Sequence, residues 1–323
     1  MAGQPYARSS QSAAKVILVR PTGFGYDPET ATSNPFQQRW PDHDIRMGAA
    51  EEFDMLLSAL DHCGIGATVL DPVDATAPNA VFPNNWFSTH ADGTLVIYPM
   101  CTPSRRKERD REFDLILEQR GFHVKRMIDL SVLERDERYL EGTGSLVLDR
   151  LRGVAYAAMG PRTTERAINF WCGALRFGPV PFLATMDGTL AGQPVYHTNV
   201  MMSLGTDFAV ICMDALPYPV DRDDVRAELD RSGREVITIG LDQMQAYVGN
   251  LMELVNNKGD RYILLSERAF ATLRSPQRMA LEKHGQLVPV PIPTIETVGG
   301  GSVRCMIAEN FLPSVVRATA PAK

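Results

Sequence analysis

The chain has 323 residues, 44% of them hydrophobic, and carries 33 basic against 39 acidic side chains for a formal net charge of -6. That length supports ample core in one large domain or two small ones, and the mild acidity without a long basic run leaves no footprint for nucleic acid. No stretch approaches the roughly 20 apolar residues of a membrane span, and residues 1–14, rich in Ser, Gln and Ala, lack a signal-peptide hydrophobic segment, so the expected location is cytoplasmic.

In chain order, a strand is predicted over 15–20. A Pro-, Gly-, Asn- and Thr-rich stretch over 21–44 follows; it is longer than ordinary loops and is the candidate lid, or else an interface or surface loop. An amphipathic helix over 49–63 places Phe53, Leu56, Leu57, Leu60 and Cys63 on one face, and a short strand over 67–70 comes after Gly64. The next unit reads strand 86–90, Asp92-Gly93 turn, strand 94–98, charged helix 104–120, Gly121 stop and strand 122–127. Within that helix Arg105-Arg106-Lys107 is followed by acidic residues and reads as one charged face.

The same order returns. A third unit runs strand 145–148, strand 154–158, helix 163–175 and strand 181–186. A fourth runs strand 195–203, strand 208–213, helix 222–231 and strand 235–239. A fifth has strands 251–255 and 261–265, a helical region interrupted at Ser275-Pro276, and strand 287–290. The unit opened by the N-terminal strand lacks its own first strand, and the apolar run at 304–308 supplies it from the C-terminus. Units of strand, strand, helix and strand at a period of about 55 residues imply a closed radial array fastened by the split unit. The fold class is therefore α/β, a fivefold α/β propeller of ββαβ units over 15–314, with residues 1–14 and 315–323 expected as disordered tails.

The arithmetic also gathers polar residues. Asn84 and Asn85, Glu141, His197, Asn250 and Cys305 each fall at or near the first strand of a unit, so a fivefold array turns them toward one central cleft. Cys305 by itself reads as a small buried hydrophobe. Its setting, Gly299-Gly300-Gly301-Ser302-Val303-Arg304-Cys305, argues for a nucleophile, since successive glycine N–H groups and Arg304 favour the thiolate; Arg304 also reads as a structural ion-pair partner. Five scattered cysteines without a C-x-x-C pair argue against a disulfide framework, and six dispersed histidines show no metal cluster.

Four segments, Phe82-Pro83-Asn84-Asn85-Trp86-Phe87, Glu141-Gly142-Thr143-Gly144-Ser145, His197-Thr198-Asn199-Val200 and the glycine run into Cys305, together resemble the amidinotransferase and arginine-deiminase superfamily. Its fold is the fivefold pseudosymmetric α/β propeller, or pentein. Within it the look-alike is the citrulline-utilization hydrolase group, also labelled arginine-deiminase-related. The resemblance implies Cys305 as nucleophile, His197 as general acid/base and Glu141 as its orienting carboxylate. It also implies that no cofactor is needed, because the substrate carbon is already electrophilic.

Members that take a guanidinium place aspartates where this chain has Asn85 and Asn199. A buried guanidinium without counter-charge costs several kcal/mol, whereas neutral amides match a ureido group, so the departure favours citrulline over arginine. Either asparagine also reads as a turn residue serving backbone, and Asn84 stands ready in place of Asn85. Arg105 and Arg106 are candidates for an α-carboxylate or for solvated charge; Asn250 is a further substrate-binding candidate, and Trp86 reads as core.

The implied activity is hydrolysis of a ureido amino acid, citrulline to ornithine, ammonia and carbon dioxide through a thiocarbamate. Alternatives are a guanidino hydrolase of arginine, agmatine or a methylated arginine, an amidinotransferase, or a non-catalytic pentein binding protein, against which the intact Cys, His and Glu count. The expected partner is a small ureido or guanidino amino acid, with no nucleic acid and no membrane; self-association into a homo-oligomer stays open. A Rossmann enzyme is disfavoured because the glycine run leads into a strand.

Overall fold

The structure, a computed structural model, describes residues 10–41 and 44–315. Five three-stranded sheets repeat one pattern, in which the first strand runs antiparallel to the second and the third runs parallel to it. They are β1 (Lys15–Val19) between β15 (Ala308–Glu309) and β2 (Gly66–Leu70); β3 (Phe87–Thr89), β4 (Thr94–Ile97) and β5 (Arg126–Asp129); β6 (Val147–Asp149), β7 (Val154–Met159) and β8 (Gly178–Leu183); β9 (Met202–Leu204), β10 (Phe208–Ile211) and β11 (Glu235–Thr238); and β12 (Met252–Val255), β13 (Arg261–Ser266) and β14 (Gln286–Val290). The split unit closes the ring as expected, with Val16 paired to Glu309 and Ile17 to Ala308.

Burial falls from first strand to third. β3 and β6 are buried throughout, whereas β5 and β2 are largely exposed or half-buried. First strands abut one another, β6 against β9, β9 against β12 and β15 against β3, so they surround the axis. Helices cover the outside; Ile45–His62 buries Ala49, Phe53, Leu56 and Leu60. It begins a turn earlier than its apolar periodicity suggests because the Asp44 carboxylate accepts the Met47 N–H as an N-cap.

Several expected boundaries move for identifiable reasons. The predicted helix over 104–120 is two pieces, Pro103–Arg106 and Phe113–Gln119. Between them Arg109 reaches the Tyr98 carbonyl and Glu134, contacts a continuous helix would point elsewhere, while Arg105 in the first piece pairs inward with Glu108. The strand expected over 122–127 pairs later, at β5, since the Lys125 N–H closes onto the Gly93 carbonyl first. Residues 10–14, assigned by sequence to a tail, are packed: Gln11 donates to the Leu148 carbonyl and accepts the Arg150 N–H, and Ser12 donates to Glu253. The remaining expected tail residues 1–9 and 316–323 lie outside the described residues, as do 42–43 of the candidate lid. Among the described residues no helix is long and apolar enough to cross a membrane.

The correction that matters most for the site concerns the first strands. Each is preceded by a tight turn, so the apolar runs over 195–203 and 304–308 are a turn plus a short strand. Counting back three residues from each strand start gives Asn84, Gly144, Asn199, Gly249 and Cys305. These five positions are equivalent around the axis, and two must be glycine. A Cβ on Gly249 would collide with the Val200 carbonyl, and one on Gly144 with the Asn85 amide nitrogen.

Candidate active site

Cys305 lies in the single helical turn Val303–Met306 and is 3% exposed. The glycines before it serve packing. A Cβ on Gly301 would come 2.8 Å from the Phe82 ring, and Gly300 adopts φ of 64° beside Gln37. The Gly300 N–H is taken by the Glu296 carbonyl, while the Gly299 and Gly300 carbonyls accept from Gln37 (2.9 Å), Asn34 (2.9 Å) and the Tyr196 hydroxyl (2.6 Å). The Arg304 guanidinium donates to the Thr143 carbonyl at 2.7 Å.

The sulfur instead meets amides. Asn250 Nδ2 lies 3.3 Å from Cys305 Sγ and Asn199 Nδ2 3.7 Å from it. Burial pushes the thiol up, and the Ser302 backbone, the Asn250 amide, Arg304 and Asn199 pull against it. The resting sulfur is therefore a protonated thiol near neutral pH.

His197 and Glu141 form the second half. His197 Nε2 is 2.8 Å from Glu141 Oε2, and a carboxylate can only accept, so Nε2 carries the proton and Nδ1 is free. A Cβ on Gly144 would stand 2.9 Å from Nδ1, so the glycine leaves that atom room. Glu141 Oε1 accepts the Cys101 N–H at 3.0 Å, and Arg162 lies 3.5 Å from Oε2. Burial by itself would raise the Glu141 carboxyl, but the Arg162 guanidinium and the His197 bond outweigh it and bring it down to about 2. Burial drives His197 to about 4 against the opposing pull of Glu141, so its imidazole rests neutral.

Both depressed values make the fold acid-sensitive. For His197 the unfolded chain takes up a proton below the ordinary 6.5 and the folded chain only near 4, so stability is complete above 6.5 and is lost as pH falls through that window. Glu141 adds a loss of the same sign as pH falls from 4.5 toward 2. Urea midpoints are expected to drop steadily on acidification from neutrality; a midpoint as high at about pH 4.5 as at about pH 7 would contradict the assignment.

A small cavity opens beside Cys305 and His197, lined also by Asn85, Arg105, Arg162 and Tyr196. Thr30, Asn34 and Gln37 close it from the segment expected as a lid, with Gln38 N–H on the Thr297 carbonyl. Arg162 ties that segment down by donating to the Thr30 carbonyl and the Ser33 hydroxyl, both at 2.8 Å. No Asp or Glu is among the lining residues. Asn85 Oδ1 accepts from Arg105 at 2.6 Å, and its Nδ2 is buried without a protein partner. Arg105 itself is held in a fork by Glu108 at 2.9 and 2.7 Å.

Of the sequence candidates, Cys305, His197, Asn85 and Arg105 line the cavity, and Glu141 stands behind His197. Asn199 and Asn250 sit at the sulfur, outside the lining. Asn84 is fully buried off the cavity, and Arg106 turns away to the Met100 and Cys101 carbonyls and Glu134. Trp86 packs against Phe87 and Phe113 in the core. Sequence reasoning missed Arg162 and Tyr196. Tyr196 adjoins His197, but the Gly160–Thr163 turn holding Arg162 carries no local signal. Among the described residues no three His, Cys, Asp or Glu side chains converge as metal ligands.

The profile of the family described as N,N dimethylarginine dimethylhydrolase, eukaryotic, matches residues 20–312. No curated protein sequence matches the chain. Among solved structures, the substrate-bound N-terminal domain of ArgZ, described as an arginine dihydrolase from the ornithine-ammonia cycle in cyanobacteria, aligns over 91% of this chain and 96% of its own, at 15% identity and a TM-score of 0.71. The complete ArgZ chain aligns over 95% of this one at the same identity and TM-score, and the chain spans 41% of its length. A dimethylarginine dimethylaminohydrolase variant with an S-methyl-L-thiocitrulline adduct aligns over 92% of this chain and 100% of its own, at 14% identity and a TM-score of 0.63. At these identities the likeness shows a common fold.

Proposed function

This chain belongs to the N,N-dimethylarginine dimethylhydrolase family of the pentein superfamily, and on that premise we propose that it is a cysteine hydrolase cleaving a carbon–nitrogen bond of a ureido amino acid, with citrulline as the substrate. One observation carries the choice of a ureido group. Arg105 is a donor only, so Asn85 must turn its oxygen to Arg105 and keep its Nδ2 as a spare donor in a cavity that no carboxylate lines. A ureido oxygen accepts from such a donor; a guanidinium has only N–H groups to offer it.

In the proposed reaction His197 Nδ1 takes the Cys305 proton and the sulfur adds to the ureido carbon. Asn85 Nδ2 stabilises the oxyanion, and the imidazolium, held by Glu141, gives its proton to the leaving nitrogen. Ammonia departs and leaves a thiocarbamate on Cys305. Water deprotonated by His197 then splits the carbon–sulfur bond, and the released N-carboxylated ornithine loses carbon dioxide. The buried Arg105 and Arg162 line the cavity, their charges balanced by Glu108 and Glu141, and are the candidates to meet the substrate's α-carboxylate.

A second reading, a guanidino hydrolase, is favoured by the family itself and by structural neighbours titled as an arginine dihydrolase and as a dimethylarginine dimethylaminohydrolase. Mass-spectrometric product analysis with citrulline and arginine side by side, using Cys305→Ala as the blank, separates the two. Ornithine from citrulline is the expected result. Citrulline formed from arginine, with citrulline itself untouched, would overturn the ureido reading.

A further inference from the structure

We propose that Asn250 and Asn199 form an amide cradle that stabilises the Cys305 thiolate, and that they are not substrate ligands. The proposal rests on reading Cys305 as the nucleophile, and its test does not need turnover. The orientation of Asn250 is set by chemistry. Its Oδ1 lies 3.1 Å from the Arg304 N–H, which can only donate, so Nδ2 must point the other way. In that direction Nδ2 meets two acceptors, the Asn199 carbonyl at 2.8 Å and Cys305 Sγ at 3.3 Å. Asn199 presents both ends of its amide, Nδ2 at 3.7 Å to donate to the thiolate and Oδ1 at 3.9 Å to accept from the thiol.

Asn199 is the axial equivalent of Cys305, three residues before its own strand, while Asn250 is displaced by one. The displacement accompanies Tyr247, which takes φ of 65° just ahead of it. Gly249 occupies the equivalent position, where a Cβ would collide with the Val200 carbonyl, and Asn250 beside it reaches the sulfur from the adjoining unit.

Neutral donors suit this place. The sulfur is buried, its glycine run offers carbonyls, and a fixed amide favours the anion without adding a charge that must be desolvated in the resting thiol. Other titratable or charged groups around the sulfur are Arg304 on its own turn, His197 with Glu141 behind it, Tyr196 and Tyr247, and Arg105 and Arg162 across the cavity. Substitution at Asn250 or Asn199 leaves all of them in place.

The test is the pH dependence of Cys305 alkylation by iodoacetamide in the full chain. It is followed on the Cys305 peptide by mass spectrometry, because Cys101 is partly exposed. Asn250→Asp keeps an oxygen for the Arg304 N–H but sets a carboxylate oxygen against the sulfur, whereas Asn250→Ala removes the donor. The expected midpoint rises by about one unit in Asn250→Ala and by about two in Asn250→Asp, about tenfold slower alkylation per unit at neutral pH, with a smaller rise in Asn199→Ala. Should Asn250→Ala fail to fold, the aspartate variant decides alone. Alkylation midpoints that stay at the wild-type value, even with a lowered melting temperature, would overturn the cradle and leave the asparagines structural. A missing citrulline turnover with shifted midpoints would reject the substrate and keep the cradle.

Discussion

Cys305→Ala is expected to lower turnover by more than about 10⁴-fold while leaving the fold in place. In the proposed reaction the residue supplies the atom that forms the covalent bond, and the cavity lining holds no second hydroxyl or thiol nucleophile beyond a threonine and a tyrosine. The structural cost is small. Alanine fits the turn, the lost sulfur leaves a void continuous with the existing cavity, and Asn250 Nδ2 keeps the Asn199 carbonyl as partner. A destabilisation on the order of 1 kcal/mol is expected, a few degrees in melting temperature at most for a chain of this size. Ammonia release with citrulline and with arginine, measured beside a thermal melt, checks both halves. Wild-type turnover in the alanine variant would remove Cys305 from the mechanism whatever the substrate.

Glu141→Gln is expected to cost about 10²–10⁴ in turnover and to destabilise the protein as well. Two oxygens of Glu141 are in use, one on the Cys101 N–H and one on His197 Nε2. A glutamine has one oxygen. If that oxygen stays on Cys101, the amide N–H₂ faces His197 Nε2 and selects the tautomer protonated at Nδ1, which removes the base from the side where Gly144 leaves room. The same change strips Arg162 of its carboxylate at 2% exposure. Breaking a buried pair by removing one partner costs about 3–5 kcal/mol, reduced here because Arg162 keeps the Thr30 carbonyl and Ser33 hydroxyl. Steady-state kinetics and urea unfolding report the two effects separately; a glutamine variant with unchanged turnover would show that Glu141 does not orient His197.

Much of this architecture was legible before any coordinates. Apolar runs with turn residues between them announced the strands, and the recurrence of strand, strand, helix and strand announced the ring, including its closure by β15 on β1. Where boundaries failed, a tertiary contact had overruled local propensity. Arg109 broke the expected helix over 104–120 because its guanidinium finds Glu134 and the Tyr98 carbonyl only in the folded chain. The turns before the first strands were hidden for a related reason: at the axis every residue is buried, so turn and strand alike read as one apolar run.

The site divides along the same line. Cys305, His197 and Glu141 could be picked out because each stands a few residues ahead of the first strand of its unit, within the segments that carry the family resemblance, and the ring brings those turns together. Arg162 and the grip of Asn34 and Gln37 on Gly300 and Gly299 could not, since their partners lie more than a hundred residues away in sequence. The glycine run was visible as a feature, but not that it makes space for Phe82 and offers carbonyls to Asn34 and Gln37. For the asparagines, the repeat implied that neutral amides stand near Cys305. Which of them face the cavity and which face the sulfur was decided by the fold alone. An amide is both donor and acceptor, so its direction depends on the neighbour that can play only one part. For Asn85 that neighbour is Arg105, for Asn250 the Arg304 N–H, and neither pairing exists until the ring has closed.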